Sequence, residues 1–227
     1  MKKLASIKKA IIPVAGYGTR MLPATKAIPK EMLPIFDKPV IQLIVEEAVE
    51  AGIEEIIFVT RSGKEAIENH FDINFELENK LKSSGDRFLL KSLKNTIPKN
   101  IKFSSVRQEK ALGLGHAILC AKHLLNEEPF AILLPDEILV RNNRPPDFSI
   151  MVKKYKETGL GNILVEKISK KRVSEYGIAD ITNKKNPNSQ FSKIKKLVEK
   201  PKQNNSPSNF RIIGRYVLPF NVISNLS

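Results

Sequence analysis

The stretch VAGYGTRMLPATKAIPKEML (residues 14–33) combines two glycines, two prolines and three cationic residues directly after an apolar run. Glycines let backbone N–H groups approach a ligand closely, and a glycine-rich loop after a first strand usually receives phosphate. The prolines stiffen this loop, and its cations are Arg20, Lys26 and Lys30. The combination predicts a phosphate-binding loop that suits a triphosphate, while a basic surface loop is the alternative from these residues alone.

The loop differs from two well-known phosphate-binding motifs. The Gly-Lys pair at 63–64 is followed by Glu65, where a P-loop has serine or threonine. The dinucleotide-binding fingerprint has its third glycine where this chain has Met21, and Pro23 prevents a helix from starting at once. A triphosphate held by a non-helical loop is therefore favoured over a dinucleotide.

The composition is that of a globular protein large enough to bury a core. Of 227 residues, 41% are hydrophobic and 27% are charged. No apolar run approaches 18 residues, so no membrane partner is predicted, and the N-terminal residues are interpreted as a first strand rather than a signal peptide. A single cysteine, Cys120, excludes an internal disulfide and fits a cytoplasmic location. A buried hydrophobic role for Cys120 is favoured over a catalytic one.

The formal charge of +14 raises the possibility of a nucleic-acid-binding module. Residues 151–215 hold 16 lysines and arginines against 5 aspartates and glutamates, but few aromatic residues that could stack on bases. A solvated lysine-rich face is the simpler interpretation, and no nucleic-acid partner is expected. Binding that weakens steeply with salt would identify the alternative.

Apolar runs rich in β-branched residues alternate with runs of helical period. The alternation predicts an α/β fold, with a Rossmann-like, mostly parallel mixed sheet flanked by helices in a single domain over residues 1–227. Pro13 fits a central strand only near the end of that strand. The predicted strands are 9–15, 55–60, 101–108, 130–139 and 162–168, and the predicted helices are 39–52, 66–71 (after a capping box at 62–65), 115–125 and 149–159.

The glycine loop opens a longer block, AGYGTRMLPATKAIPKEMLPIFDKPVIQ (15–42). This block closely resembles the signature of bacterial UTP–glucose-1-phosphate uridylyltransferases, within the wider family of sugar-1-phosphate nucleotidyltransferases. Six further blocks follow in the family's order: 68–78, 106–122, 133–139, 176–181, 197–202 and 207–218. The resemblance implies the nucleotide-diphospho-sugar transferase fold and a cytoplasmic homo-oligomer. It also implies an enzyme that uses Mg²⁺ to make UDP-glucose and pyrophosphate from UTP and glucose 1-phosphate.

The resemblance further implies which residues contact the nucleotide. Arg20 would neutralise the departing pyrophosphate, and Lys30 would reach the α-phosphate. Gln108, which has both a donor and an acceptor, would read the uracil edge beside Glu31 and the backbone at Gly113. The implied catalytic residues are Arg20 and Lys30, and the implied nucleotide-binding residues are Ala15, Gly16, Gly18, Thr19, Glu31, Gln108 and Gly113.

Two further sites are implied, one for the metal and one for the sugar phosphate. Asp136 ends an apolar run, where an open α/β sheet presents ligand groups, and would bind Mg²⁺; a turn-forming aspartate is the alternative. Gly177, Glu199 and Lys200 would hold glucose 1-phosphate, with Glu199 accepting from sugar hydroxyls and Lys200 meeting the phosphate. The three histidines lack metal-binding spacing and receive no catalytic role: His70, His116 and His123.

Two other functions remain open at this point, a thymidylyltransferase on the same fold and a non-catalytic nucleotide-binding protein. The family normally continues beyond the point where this chain stops, with a later Asp-x-Gly stretch that helps bind the metal. The chain is therefore expected to lack the family's C-terminal segment. It is also expected to be less stable and poorly active unless another chain covers the exposed apolar surface.

Overall fold

The computed structural model describes residues 5–140, 146–182 and 190–226. They form two compact units: the first takes its residues from Met1–Asn162 and Arg215–Ser227, and the second is Ile163–Gly214. None of the helices in the described residues is both long and apolar enough to cross a membrane. The strands are β1 (Lys9–Pro13), β2 (Pro34–Ile35), β3 (Lys38–Pro39), β4 (Glu55–Thr60), β5 (Lys102–Arg107), β6 (Phe130–Leu133), β7 (Asn162–Lys167), β8 (Gly177–Ile181), β9 (Ile194–Glu199) and β10 (Phe210–Leu218).

The sheet of the first unit is parallel except at one strand. Its order is β5-β4-β1-β6-β10, in which β5, β4, β1 and β6 pair in parallel and the end of β10 pairs antiparallel with β6. β1, β4 and β6 are almost completely buried, as expected of continuous apolar runs covered on both faces. Pro13 is the last residue of β1, as its missing N–H requires. The predicted α/β fold with a mostly parallel mixed sheet is confirmed.

Four helices in the described part of this unit bury apolar side chains, whereas the helices over Phe75–Ser84 and Arg87–Asn95 bury none. The first helix, α1 (Val40–Glu50), buries Ile41, Ile44 and Val45, and it is followed by Gly52 in a left-handed conformation (φ 90°). Ala117 and Ala121 of the fifth helix join a core cluster with apolar residues of β1, β4 and β6. The helices are α1 (Val40–Glu50), α2 (Glu65–Phe71), α3 (Phe75–Ser84), α4 (Arg87–Asn95), α5 (Leu114–Ala121) and α6 (Asp147–Thr158).

Three local predictions differ from the structure. The strand predicted over 130–139 ends at Leu133, and the residues after it form a loop. The capping box predicted at 62–65 is wrong, because Gly63 turns the chain at φ 82° and Lys64 becomes the residue before α2. The carboxylate of Glu65 accepts instead from the Gly63 N–H at 3.0 Å. Helices α3 and α4 were not predicted.

The second unit is built mainly of antiparallel strands. β8 pairs antiparallel with β9, with Gly177 opposite Glu199, and β8 also pairs antiparallel with β10 through Ile178 and Arg211. β7 pairs with β10 as well. The register of β8 and β9 therefore brings Gly177 and Glu199 together, although they are 22 positions apart in the sequence.

Candidate active site

The glycine loop leaves β1 in a conformation that its own residues fix. Ala15 is buried, and the Val14 N–H donates to the carbonyl of Val59 at 2.9 Å. Gly18 has φ 71°, and a Cβ there would lie 3.2 Å from Cβ of Lys30 and 3.3 Å from Cβ of Thr25. The Thr25 hydroxyl donates to the Gly18 carbonyl at 2.8 Å. A glycine is therefore required at position 18, both for the backbone conformation and for the close approach of Lys30.

Beyond Gly18 the loop continues through short 3-10 turns at Thr19–Met21, Ala24–Lys26 and Lys30–Met32. Thr19 and Arg20 are exposed in the first turn, and Gly16 is exposed just before it. The predicted phosphate-binding residues of this segment therefore share one accessible loop. An exposed guanidinium at Arg20 is free to follow a phosphate chain that enters from solvent.

Lys30 turns back toward the glycines at the start of the loop. A Cβ on Gly16 would lie 3.8 Å from Cε of Lys30. The Lys30 ammonium lies 4.0 Å from Oε1 of Glu31 and 4.0 Å from Oδ2 of Asp136. Both distances exceed those of hydrogen bonds. The structure thus brings Gly16, Lys30, Glu31 and Asp136 together, with one ammonium between two carboxylates.

Glu31 is held by a buried lysine that the sequence analysis missed. The Lys64 ammonium donates to Oε2 of Glu31 at 2.7 Å, and the side chains of Lys64 and Glu31 are 3% and 0% exposed. Oε1 of Glu31 is buried, and within the described part of the chain it has no hydrogen-bond partner. Burial lowers the pKa of Lys64, and the hydrogen bond and charge of Glu31 oppose that effect. In the sequence, this ion pair is indicated only by the presence of Lys64, which lies in a segment interpreted as a helix cap.

Gln108 follows β5 and has a fixed side-chain amide. Its backbone N–H donates to the Thr60 carbonyl at 2.8 Å. Its side-chain Nε2 donates to the Gly113 carbonyl at 3.1 Å and lies 3.0 Å from Nδ1 of His116. Gly113 has φ 92° and directly precedes α5. The structure therefore brings Gln108 and Gly113 together, and His116 orients the amide, a role that the sequence analysis did not predict.

Asp136 lies in the loop after β6, and a fully buried arginine fixes that loop. Arg215 donates to both carboxylate oxygens of Glu47, at 2.9 and 2.8 Å. Two further N–H groups of Arg215 donate to the carbonyls of Leu134 at 3.0 Å and Glu137 at 2.9 Å, on either side of Asp136. An arginine inside an apolar strand is the only sequence signal for this role, and it was missed.

The donor set at Asp136 is compatible with magnesium. The Asp136 carboxylate is 38% exposed. Residues 5–140, 146–182 and 190–226 contain no cluster of three or more His, Cys, Asp or Glu side chains able to hold a metal by themselves. Mg²⁺ is commonly bound by one or two carboxylates, with substrate phosphates and water completing its shell. One accessible carboxylate at the phosphate loop fits that mode.

The predicted sugar-phosphate residues lie together in the second unit. A Cβ on Gly177 would lie 3.1 Å from Oε2 of Glu199, so a glycine leaves room for that carboxylate. Glu199 and Lys200 are 75% and 61% exposed, and Nζ of Lys200 lies 3.6 Å from Oε1 of Glu199. The Lys200 N–H donates to the Tyr176 carbonyl at 3.1 Å.

Comparison with known proteins identifies the family of the chain. Residues 9–227 match the family model described as nucleotidyl transferase. Over 212 residues the chain is 51% identical to the UTP–glucose-1-phosphate uridylyltransferase of Haemophilus ducreyi and 48% identical to that of Haemophilus influenzae, in each case over 92% of this chain and 72% of the relative. The UTP-bound UGPase from Acinetobacter baumannii superposes with a TM-score of 0.90 at 45% identity, over 96% of this chain and 76% of that one. The chain therefore belongs to the nucleotidyl transferase family and, within it, to the UTP–glucose-1-phosphate uridylyltransferases.

Proposed function

We propose that this chain transfers UMP from UTP to glucose 1-phosphate, giving UDP-glucose and pyrophosphate. The position of the Lys30 ammonium carries the proposal: it lies beside Gly16 of the glycine loop and 4.0 Å from the Asp136 carboxylate. The glycine-rich backbone, a cation and a carboxylate that can bind a metal thereby meet beside the glycine loop, as transfer of a charged phosphoryl group requires. The names of the relatives support UTP and glucose 1-phosphate as the substrates.

The reaction needs no nucleophile from the protein. A phosphate oxygen of glucose 1-phosphate attacks the α-phosphorus of UTP, and the bond to the pyrophosphate oxygen breaks on the opposite side. The protein must therefore bring two anions together and stabilise the charge that develops between them. Lys30 supplies a positive charge at the α-phosphate, and Arg20 accompanies the pyrophosphate as it leaves. Ala15, Gly16, Gly18 and Thr19 line the path of the phosphates.

Magnesium is the cofactor that the Asp136 site would hold. When bound, the ion supplies Lewis-acid neutralisation of phosphate charge. Arg215 holds the carbonyls of Leu134 and Glu137, so the loop around Asp136 is positioned before substrate arrives. Asp136 therefore has little conformational freedom to lose when it takes up the ion.

Base and sugar are read by two further groups of residues. Gly113 and His116 engage Nε2 of Gln108, so Oε1 of this amide is left to accept from the N3–H of uracil, beside Glu31. In the second unit, Glu199 accepts from sugar hydroxyls and Lys200 meets the sugar phosphate, beside the space that Gly177 leaves open. A homo-oligomer, a cytoplasmic location and the absence of a nucleic-acid partner stay predictions.

Pyrophosphate release with glucose 1-phosphate and UTP, dTTP, CTP or ATP tests the proposal. We expect turnover with UTP in the presence of Mg²⁺, weak turnover with the other triphosphates, and loss of activity when EDTA removes the metal. Equal turnover with dTTP would instead indicate a thymidylyltransferase. Binding of UTP in a calorimeter without any turnover would indicate a non-catalytic nucleotide-binding protein.

A further inference from the structure

The buried pair of Lys64 and Glu31 lies next to the catalytic cation and involves three charges. Lys64 donates to one oxygen of Glu31 at 2.7 Å, while the other oxygen, Oε1, lies 4.0 Å from the Lys30 ammonium. Oε1 is buried and accepts no hydrogen bond from the described residues. A buried carboxylate oxygen without a donor normally attracts the nearest cation, because electrostatic attraction is strong where water is excluded.

Lys30 nevertheless remains 4.0 Å from both carboxylates, Glu31 and Asp136. Lys64 supplies the reason, since it already neutralises Glu31 with a short hydrogen bond. Lys30 is therefore attracted only weakly to Glu31, because the charge of Glu31 is already balanced by Lys64. Among the residues that the structure describes, no carboxylate makes a short hydrogen bond with the Lys30 ammonium, which lies where the phosphates of a substrate would need it.

We propose that Lys64 is a positioning residue: by serving as the counter-ion of Glu31, it keeps the Lys30 ammonium available to substrate phosphate. This inference rests on the proposed function for the role of Lys30 at the phosphate. Without Lys64, Glu31 would be an uncompensated buried carboxylate, and Lys30 is the nearest cation that could pair with it. Lys64 itself is 3% exposed and is already engaged with Glu31, so it acts through Lys30.

A double-mutant cycle on binding of inorganic tripolyphosphate, measured by calorimetry without glucose 1-phosphate, tests the proposal. We expect Lys30→Met and Lys64→Met each to weaken binding about tenfold, the loss of roughly one charge-assisted contact. The double variant Lys30→Met/Lys64→Met is expected to bind no more weakly than Lys30→Met. The matched control is Lys38→Met, which removes a lysine paired with Glu46 at 2.8 Å elsewhere in the first unit, and we expect it to leave binding nearly unchanged.

Glu31→Gln in the Lys64→Met background adds a readout that a purely structural role would not give. A neutral glutamine does not attract the Lys30 ammonium away from phosphate. The double variant Glu31→Gln/Lys64→Met is therefore expected to bind tripolyphosphate more tightly than Lys64→Met alone. Uptake of a proton by Glu31 in Lys64→Met would leave Lys30 free and binding unchanged, and that result would overturn the proposal. Additive losses in the Lys30 and Lys64 cycle would overturn it as well. If Lys64→Met does not fold, Lys64→Gln keeps a hydrogen-bond donor for Glu31 without the charge, and the same outcomes apply.

Failure of this inference can be distinguished from failure of the proposed function. A chain that gives the expected cycle but does not turn over UTP would remove the proposed function and leave the positioning role intact. A chain that turns over UTP but shows additive losses would remove only the positioning role. No binding of tripolyphosphate by the unmodified chain would overturn the positioning role, because Lys30 would then not serve a phosphate.

Discussion

Two lysine–glutamate pairs, one in each unit, use the same chemistry in opposite environments. In the first unit, Lys64 and Glu31 are 2.7 Å apart and almost fully buried. In the second unit, Lys200 and Glu199 are 3.6 Å apart, with 61% and 75% of their side chains exposed. A buried pair is strongly destabilising to break, because one charge is left without a partner, whereas an exposed pair contributes little. Burial, rather than the identity of the residues, therefore decides what each pair does.

The difference extends to how each region would meet its ligand. Around the glycine loop, short contacts are already made: Lys64 holds Glu31, and Arg215 holds Glu47 and the loop that carries Asp136. Such a site changes little when the substrate binds, which lowers the cost of ordering it. Glu199 and Lys200 are solvated in the second unit, so the ligand would have to order them. The nucleotide region is thus expected to be pre-organised and the sugar-phosphate region to be adaptable.

The largest expected effect is the loss of stability that follows when the buried pair is broken, compared with the loss when the exposed pair is broken. Lys64→Met removes the buried, hydrogen-bonded counter-ion of Glu31, which the more distant Lys30 replaces only in part, and is expected to lower the free energy of unfolding by about 3–5 kcal/mol. Lys200→Met is the matched variant in solvent, and its expected loss is below about 1 kcal/mol. Urea unfolding of both variants, compared through the midpoint and slope, measures the difference. Equal losses would mean that burial does not distinguish the two pairs.

The second prediction concerns turnover rather than stability. Lys30→Ala removes a charge that acts mainly on the developing transition state, so kcat is expected to fall about 100- to 1,000-fold. The affinity for UTP should fall much less, because the other phosphate contacts of the loop remain. Steady-state kinetics and calorimetry separate the two effects, with Lys38→Ala as a control for charge. An unchanged kcat in Lys30→Ala would contradict the role of this residue.

Much of the fold and of the candidate site follows from local sequence signals. β1 and β4 contain continuous apolar runs rich in β-branched residues, so their positions could be predicted. Glycine in the left-handed conformation at Gly18 and the acidic residue after β6, Asp136, are also local features. Gly16, Lys30, Glu31 and Asp136 lie together at loop ends of the first unit, because parallel strands bring their carboxyl ends to one edge of the sheet.

The missed residues act through contacts between distant parts of the sequence. Lys64 is 33 positions from Glu31, and Arg215 is 168 positions from Glu47. A lysine before a helix or an arginine in a strand is usually solvated, so neither position indicates burial by itself. Helices α3 and α4 were also missed, although Leu89, Leu90 and Leu93 of α4 lie at helical spacing; none of the side chains in either helix is buried, so these helices add nothing to the buried core.

A smaller effect is expected for Gly177→Ala, which tests the adaptable region. The new Cβ would lie 3.1 Å from Oε2 of Glu199 and 3.2 Å from Cδ1 of Ile212. The exposed carboxylate can move away, so the KM for glucose 1-phosphate is expected to rise about fivefold, near the low end of typical overpacking costs. Gly115→Ala, whose Cβ would make an ordinary 3.6 Å contact with Leu226, is the control. An unchanged KM in Gly177→Ala would remove Gly177 from the sugar-phosphate site.

The smallest expected effect is a pH dependence at His70, a half-buried group that has no ion pair with any residue in the described ranges. Burial lowers the pKa of His70 from its usual 6.5, and its Nε2 lies 3.0 Å from Oε1 of Gln42, to which the neutral ring donates. Above pH 6.5 the imidazole is neutral in both the folded and the unfolded chain, so this contribution to stability is complete. As the pH falls below 6.5, the unfolded chain takes up the proton first, and the contribution is lost as the pH passes through the lower pKa of the folded state.

Urea unfolding of the unmodified chain, His70→Gln and His123→Gln at several pH values between 7 and 5 measures this contribution. The free energy of unfolding should decrease less steeply toward pH 5 in His70→Gln than in the unmodified chain. His123 is exposed, so His123→Gln should keep the steeper decrease. If His70→Gln and the unmodified chain lose stability in parallel, burial without a charged partner does not control titration at this site. The contrast between partnered and unpartnered buried groups would then not extend beyond Lys64 and Glu31.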